Sequence, residues 1–192
     1  MRLEDGKYIL AISDGMGTGK EAKNSSKLTI RMIKNLLLSG FESEQSVELI
    51  NSTLNMNTET DMYSSLDITI LDLYKGQAEI LKNGACNTYI KNKKNVKVMK
   101  SENMPVGVMD KIELDTQTVE VQDGDIILMC SDGVLEAKNE IQEDWIAEFL
   151  KNISTNNAQK IADLILAEAI DLNYGIAKDD MTIIVGKIVK KK

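Results

Sequence analysis

The hydrophobic and polar positions change period several times along the chain, and each change marks an element. Lys7 to Ser13 (KYILAIS) is a short apolar run with a turn signal on each side, the pattern of a buried strand. It runs into the glycine-dense loop Asp14-Gly15-Met16-Gly17-Thr18-Gly19. From Lys20 to Leu38 the apolar positions Ala22, Ile30, Ile33 and Leu37 recur at mostly helical spacing, and Ser39-Gly40 supplies the stop. A second helix fits Glu44 to Met56, with Val47, Ile50 and Leu54 on one face.

The period then shortens. Leu66 to Leu73, Ala78 to Leu81, Asn87 to Ile90 and Val96 to Met99 are short β-type runs separated by turn residues, and they read as an antiparallel meander. Thr116 to Val121 and Asp125 to Ser131 are two more strands, joined by the tight-turn sequence Gln122-Asp123-Gly124. Helices over Gln142 to Lys151 and Ala158 to Leu172 follow, the second with the stripe Ile161, Leu164, Ile165 and Leu172. Met181 to Val189 closes the chain as a strand. Helices segregated in pairs around antiparallel strands predict an α+β fold, an α-β-β-α sandwich whose layers bury every apolar face.

Composition narrows the chemistry. The 192 residues are 43% hydrophobic and 28% charged, with 23 Lys plus Arg against 30 Asp plus Glu, a net charge of −7. That balance argues against a generic nucleic-acid binder, which needs cationic surface. There is no histidine, so serine–histidine triads and imidazole zinc sites are excluded. The two cysteines, Cys86 and Cys130, form no CxxC pair and read as packing residues in buried strands, with a reducing cytoplasm as the default setting. The ten methionines read as core filler and Trp145 as a core anchor. No apolar run is long enough to span a membrane, and the start carries no signal-peptide pattern. Lys190-Lys191-Lys192 reads as a solvated end.

Three acidic positions stand at strand ends. Asp14 follows one strand, Asp132 another, and Asp179-Asp180 precedes a third. Ser-Asp-Gly occurs at both 13–15 and 131–133, with a glycine that lets the backbone turn sharply beside the carboxylate. If the strands are neighbours, the carboxylates converge on one sheet edge. Two carboxylates 4 Å apart cost roughly 4 kcal/mol at an effective dielectric of 20, which protons or cations must balance. Oxygen donors without His or Cys select Mg²⁺ or Mn²⁺. The competing reading is that each Asp is only a turn or N-cap residue. The glycine loop is no Walker A motif, because Asp14 stands where its first glycine must be and Glu21 where Ser or Thr must follow. It reads either as a close backbone approach to a ligand or as a tight strand-to-helix turn. Tyr63-Ser64-Ser65 reads as a loop.

Ile12-Ser13-Asp14-Gly15-Met16-Gly17-Thr18-Gly19, Asn83-Gly84-Ala85, Met104-Pro105-Val106-Gly107-Val108, Ser131-Asp132-Gly133-Val134-Leu135-Glu136-Ala137 and Lys178-Asp179-Asp180-Met181-Thr182, in that order, resemble the PP2C-type (PPM) serine/threonine phosphatases, and within them the bacterial stage II sporulation branch. The resemblance implies a PP2C-like fold over residues 1–192 as one domain, truncated at its N-terminus, and metal-dependent hydrolysis of phosphoserine or phosphothreonine on a protein. It makes Asp14, Asp132 and Asp179 the catalytic residues, acting through a metal-held water. Two ions, Mn²⁺ or Mg²⁺, would be bound by Asp14, the Gly15 carbonyl, Asp132 and Asp179, with Asp179 favoured over Asp180.

The resemblance also implies a phosphorylated anti-anti-sigma factor as substrate and partner, and a cytoplasmic domain whose parent is membrane-anchored through a region outside this chain. The helices beside Asp14 would either gate the metal loop, in a homodimer or under a regulatory partner, or be ordinary packing layers. One departure is a further upstream acidic ligand of the family, for which Glu4 and Asp5 stand in the wrong place, in a hairpin turn. That implies weak metal binding and low activity for this chain. The rival of another class is an inactive PP2C-like module that binds a protein partner; loss of the three aspartates would mark it, and all three are present.

Overall fold

The structure, a computed structural model, describes residues 1–3, 6–56, 62–93, 95–136, 144–177 and 179–189. The chain divides into two compact units, Met1–Ala85 with Ser101–Glu120, and Cys86–Lys100 with Val121–Lys192. Each is built from one four-stranded antiparallel sheet and its own helices.

In the first unit β1 (Tyr8–Ile12), β2 (Leu66–Asp72), β3 (Gln77–Asn83) and β6 (Thr116–Glu120) lie in the order β1-β2-β3-β6. The register aligns Ile12 with Asp67 and Asp67 with Lys82. Helices α1 (Lys20–Leu38) and α2 (Ser43–Asn55) pack on one face, where Ile33, Leu37, Val47, Ile50 and Leu54 meet Ile9, Leu66, Ile68 and Leu81. Each of these fully buried aliphatic side chains stabilises the unit by about 1.5–3 kcal/mol relative to exposure.

The α1 stripe is half polar. Ser25 and Thr29 are buried above Ile33 and Leu37 at four-residue spacing, so the apolar pattern alone under-reports that face. Gly40, at φ 83°, ends the helix in a Schellman turn, with Phe41 N–H donating to Leu36 O and Gly40 N–H to Leu37 O. On the other face of the sheet, Lys82 Nζ sits 2.5 Å from Asp67 Oδ2, both side chains 2% exposed or less.

In the second unit β4 (Thr88–Lys91), β5 (Val96–Met99), β7 (Ile126–Cys130) and β8 (Ile183–Lys187) lie in the order β5-β4-β7-β8. Helices α4 (Trp145–Asn152) and α5 (Ala158–Leu172) cover the face carrying Tyr89, Ile126, Leu128 and Cys130. Asp144 caps α4 by accepting from Ala147 N–H, and Asn157 caps α5 by accepting from Lys160 N–H. Tyr89 OH and Asn87 Nδ2 both donate to the Asp144 carboxylate, anchoring the cap to β4. Trp145 is a core anchor as expected, 6% exposed, with Nε1–H donating to Leu135 O.

Several expectations change. The meander splits, because β2 and β3 belong to the first sheet and β4 and β5 to the second, while β6 pairs with β3. Strand pattern records a buried face but not the identity of the neighbour. A short helix α3 (Asp132–Leu135) directly follows β7. Leu164 is 38% exposed, and Ala169 takes its place on the buried side of α5. Among the methionines, Met99 and Met129 are buried, whereas Met16, Met56, Met104 and Met109 are each more than half exposed. Cys86 is half-buried outside any strand. Glu4, Asp5, Ala137, Gln142, Lys178 and the terminal lysines lie outside the described residues. Among the described residues no helix is long and apolar enough to cross a membrane.

Candidate active site

Asp14 stands two residues past β1, half-buried, and its main chain is pinned on both sides. Its N–H donates to Ser65 Oγ at 2.9 Å and its carbonyl accepts from Ser65 N–H at 2.7 Å. Ser64 Oγ lies 3.0 Å from the same carbonyl and 2.5 Å from Ser13 Oγ, and Ser13 Oγ donates to Ser65 O at 2.7 Å. Met16 N–H donates to Tyr63 O, and Ser25 Oγ from α1 donates to the same oxygen. The segment 63–65 is therefore the frame of the Asp14 loop rather than a plain connection. The signal available in the sequence was two adjacent hydroxyls before β2.

Gly15 is fixed by space. A Cβ on it would stand 1.8 Å from Ala22 O, so the first turn of α1 lies directly against this residue. The close approach that the glycine loop foretold is thus to the protein's own helix. Gly17 and Gly19, at φ 89° and 86°, are required by conformation, and Gly19 forms the α1 N-cap without a side-chain bond.

The second Ser-Asp-Gly does the same work in the second sheet. β7 and β8 pair with Cys130 opposite Ile183, and Ser131 extends the ladder by donating its N–H to Thr182 O. Ser131 Oγ donates to Asp180 O and accepts from Thr182 N–H, both at 3.0 Å. A Cβ on Gly133 would stand 2.7 Å from Asp180 O and 3.1 Å from Asp179 Cβ, so only glycine lets the two acidic segments touch. Asp132 and Asp179 are both exposed. Their Oδ1 atoms accept from the N–H groups of Gly133 and Asp180 respectively.

Asp132, just past β7, and Asp179, just ahead of β8, thus lie at the same end of two paired strands, with Asp179 packed against Gly133. Asp14 and Gly15 belong to the first unit, because β1 lies in the other sheet, and a single sheet edge does not hold all three. Among the described residues no group of three or more Cys, Asp or Glu side chains is arranged to hold a metal ion. In donor chemistry Asp132 and Asp179 suit a hard divalent cation, since both offer only carboxylate oxygens and both are exposed.

The Asn83-Gly84 and Met104–Val108 motifs also meet, within the first unit. Gly84 N–H donates to Asn103 O, and a Cβ on Gly84 would stand 2.4 Å from Pro105 Cγ. Val106 exchanges both main-chain bonds with Ser64, which ties these motifs to the Asp14 loop.

Comparison with known proteins gives the family and the fold. A family profile described as stage II sporulation protein E matches residues 4–189. The chain is 35% identical over 190 residues to stage II sporulation protein E of Priestia megaterium, covering 98% of this chain and 32% of that protein. It therefore spans about a third of the length of that curated relative. A solved structure of the PP2C phosphatase domain with a fragment of the regulatory domain of SpoIIE from Bacillus subtilis matches with a TM-score of 0.87 and 34% identity, over 95% of this chain and 55% of that one. A manganese-presoaked structure of the B. subtilis SpoIIE phosphatase domain matches with a TM-score of 0.65 and 25% identity, over 95% of this chain and 88% of that one. The expected α+β, PP2C-like fold class is borne out, and with 186 of its 192 residues inside the family profile the chain belongs to the stage II sporulation protein E family, with the fold of its PP2C phosphatase domain.

Proposed function

We propose that this chain is a Mn²⁺- or Mg²⁺-dependent protein serine/threonine phosphatase, and that its substrate is phosphoserine on a regulatory protein of the anti-anti-sigma-factor class. The observation that carries the reading is the packing of Asp179 against Gly133, the residue after Asp132, where β7 ends and its partner β8 begins. The residues proposed as metal donors are Asp14 and the Gly15 carbonyl in the first unit, and Asp132 and Asp179 in the second. Asp179 is favoured over Asp180 because its Cβ faces Gly133. The manganese used with the related B. subtilis domain supports the choice of cation.

Divalent ions, when bound, supply an activated water and positive charge for the phosphoryl oxygens. The protein's own part is positioning. Ser65 and Ser64 fix the Asp14 main chain, the α1 turn fixes Gly15, and Ser131 fixes the 180–182 segment. A net charge of −7 and the absence of histidine leave acid–base work to groups other than imidazole.

The test is Mn²⁺-dependent release of phosphate from a phosphoserine protein. Asp132→Asn and Asp179→Asn are each expected to abolish turnover, while Asp180→Asn retains it. Wild-type turnover in Asp132→Asn would refute the assignment.

A further inference from the structure

We propose that Ser64 is a positioning residue whose hydroxyl sets the Asp14–Gly15 main chain; the functional weight of this rests on the reading of that segment as a metal loop. Ser64 is completely buried. Its main chain is engaged on both sides, with N–H donating to Val106 O at 3.1 Å and C=O accepting from Val106 N–H at 3.0 Å. Its Oγ is left to one cluster, comprising Ser13 Oγ at 2.5 Å, Asp14 O at 3.0 Å and Ser65 O at 3.2 Å. Two hydroxyls, those of Ser13 and Ser64, thus divide two protons among each other and the carbonyls of Asp14 and Ser65. No water reaches the Ser64 end of this cluster, so what it loses is not replaced from solvent.

The other end of Ser64 is equally fixed. Val106 is followed by Gly107, whose N–H donates at 2.8 Å to Oδ1 of the buried Asn51 on α2. Asn51 Nδ2 donates at 2.8 Å to Met109 O. A Cβ on Gly107 would stand 2.4 Å from Met62 O, so the 106–109 loop packs against the segment that leads into Tyr63-Ser64. Ser64 therefore joins a loop held rigidly by α2 to the main chain of Asp14. Replacing it by alanine removes only the hydroxyl contacts toward Asp14, Ser13 and Ser65, because the bonds to Val106 are main-chain bonds.

The experiment is residue-resolved amide hydrogen exchange on Ser64→Ala, with Mn²⁺ titration beside it. Exchange at the amides of Asp14, Ser65 and Met16 should quicken about tenfold, equivalent to about 1.4 kcal/mol, while Ile70 in β2 and Ile80 in β3 stay within about twofold. Mn²⁺ half-saturation should rise with the KM for phosphoprotein unchanged. Thr69→Val is the control, since Thr69 Oγ1 is buried in β2 without a hydrogen-bond partner; it should move neither readout. If Ser64→Ala does not fold, Ser13→Ala removes the same hydroxyl pair from its half-buried side and should give the same local change. Unchanged exchange at Asp14 and Met16, or an equal rise across all of β1, β2 and β3, overturns the proposal. Asp14→Asn separates the two readings: local exchange gain in Ser64→Ala together with undiminished Mn²⁺ affinity in Asp14→Asn sinks the metal assignment and leaves the brace standing.

Discussion

Two neighbouring glycines of the Asp14 loop should fail for different reasons when a methyl group is added, and by different amounts. In Gly15→Ala the new Cβ falls 1.8 Å from Ala22 O, 2.4 Å from Ala22 C and 2.7 Å from Ala22 Cα. Carbon and oxygen normally approach no closer than about 3.3 Å, so α1 and the loop must separate by about 1.5 Å. The atoms met are main chain in the first turn of a 19-residue helix, not the end of a flexible side chain. The cost should therefore reach the upper part of the overpacking range, about 3 kcal/mol. For a chain of this size that lowers Tm by about 6–12 °C.

In Gly17→Ala the residue must hold φ at 89°, but nothing lies within 4 Å of its Cβ. Only conformational strain remains, about 1 kcal/mol. Urea unfolding followed by far-ultraviolet circular dichroism gives both numbers. Equal losses in the two variants, or a Gly15→Ala protein as stable as the parent, would show that α1 is not seated on the Asp14 loop as described.

Alkaline stability should depend on Tyr89. Burial first, then the neighbouring Cys130 and Asp144, push its phenol well above the ordinary value of 10.0. The folded protein keeps this proton where the unfolded chain releases it, so stability is unaffected below pH 10 and falls above it by up to about 1.4 kcal/mol per pH unit. Tyrosinate absorbance should show Tyr89 titrating only with unfolding, and Tyr89→Phe should remove its share of the slope; titration of Tyr89 in the folded protein would contradict this. Lys82→Met should cost about 3–5 kcal/mol in thermal or urea unfolding, because it takes away the ammonium 2.5 Å from the buried Asp67 carboxylate, and the double variant Asp67→Leu/Lys82→Met should recover most of that loss. A single variant within about 1 kcal/mol of the parent would mean that the pair is not desolvated.

Much of the fold was legible because local signals agreed with each other. The helix over Lys20–Leu38 carries its own stop, Ser39-Gly40, and the structure gives this helix and the one over Ala158–Leu172 the limits their patterns predict. Strands such as Ile126–Cys130 are apolar throughout because both faces are buried. Sheet membership was not legible, since β3 and β4 look alike in sequence yet pair in different sheets through contacts distant along the chain.

At the candidate site, the placing of Asp132 and Asp179 at the same end of paired strands followed from Ser-Asp-Gly at one strand end and Asp-Asp before the next. Ser64 did not stand out, because its role comes from bonds to residues 51 and 42 positions away, at Ser13 and Val106. The exposed methionines misled for a simpler reason. Met16, Met104 and Met109 sit in loops where no periodicity decides burial.

Asp132 and Asp179, far apart in the chain, are proposed to serve the same cation. Calorimetric titration of Mn²⁺ into the parent chain and into Asp132→Asn, Asp179→Asn and the double variant tests this directly. Each single change is expected to weaken binding by at least about 100-fold, more than loss of a supporting residue costs, and the double change should add little. Mn²⁺ affinity unchanged in either single variant, or losses that add as for independent sites, would contradict it.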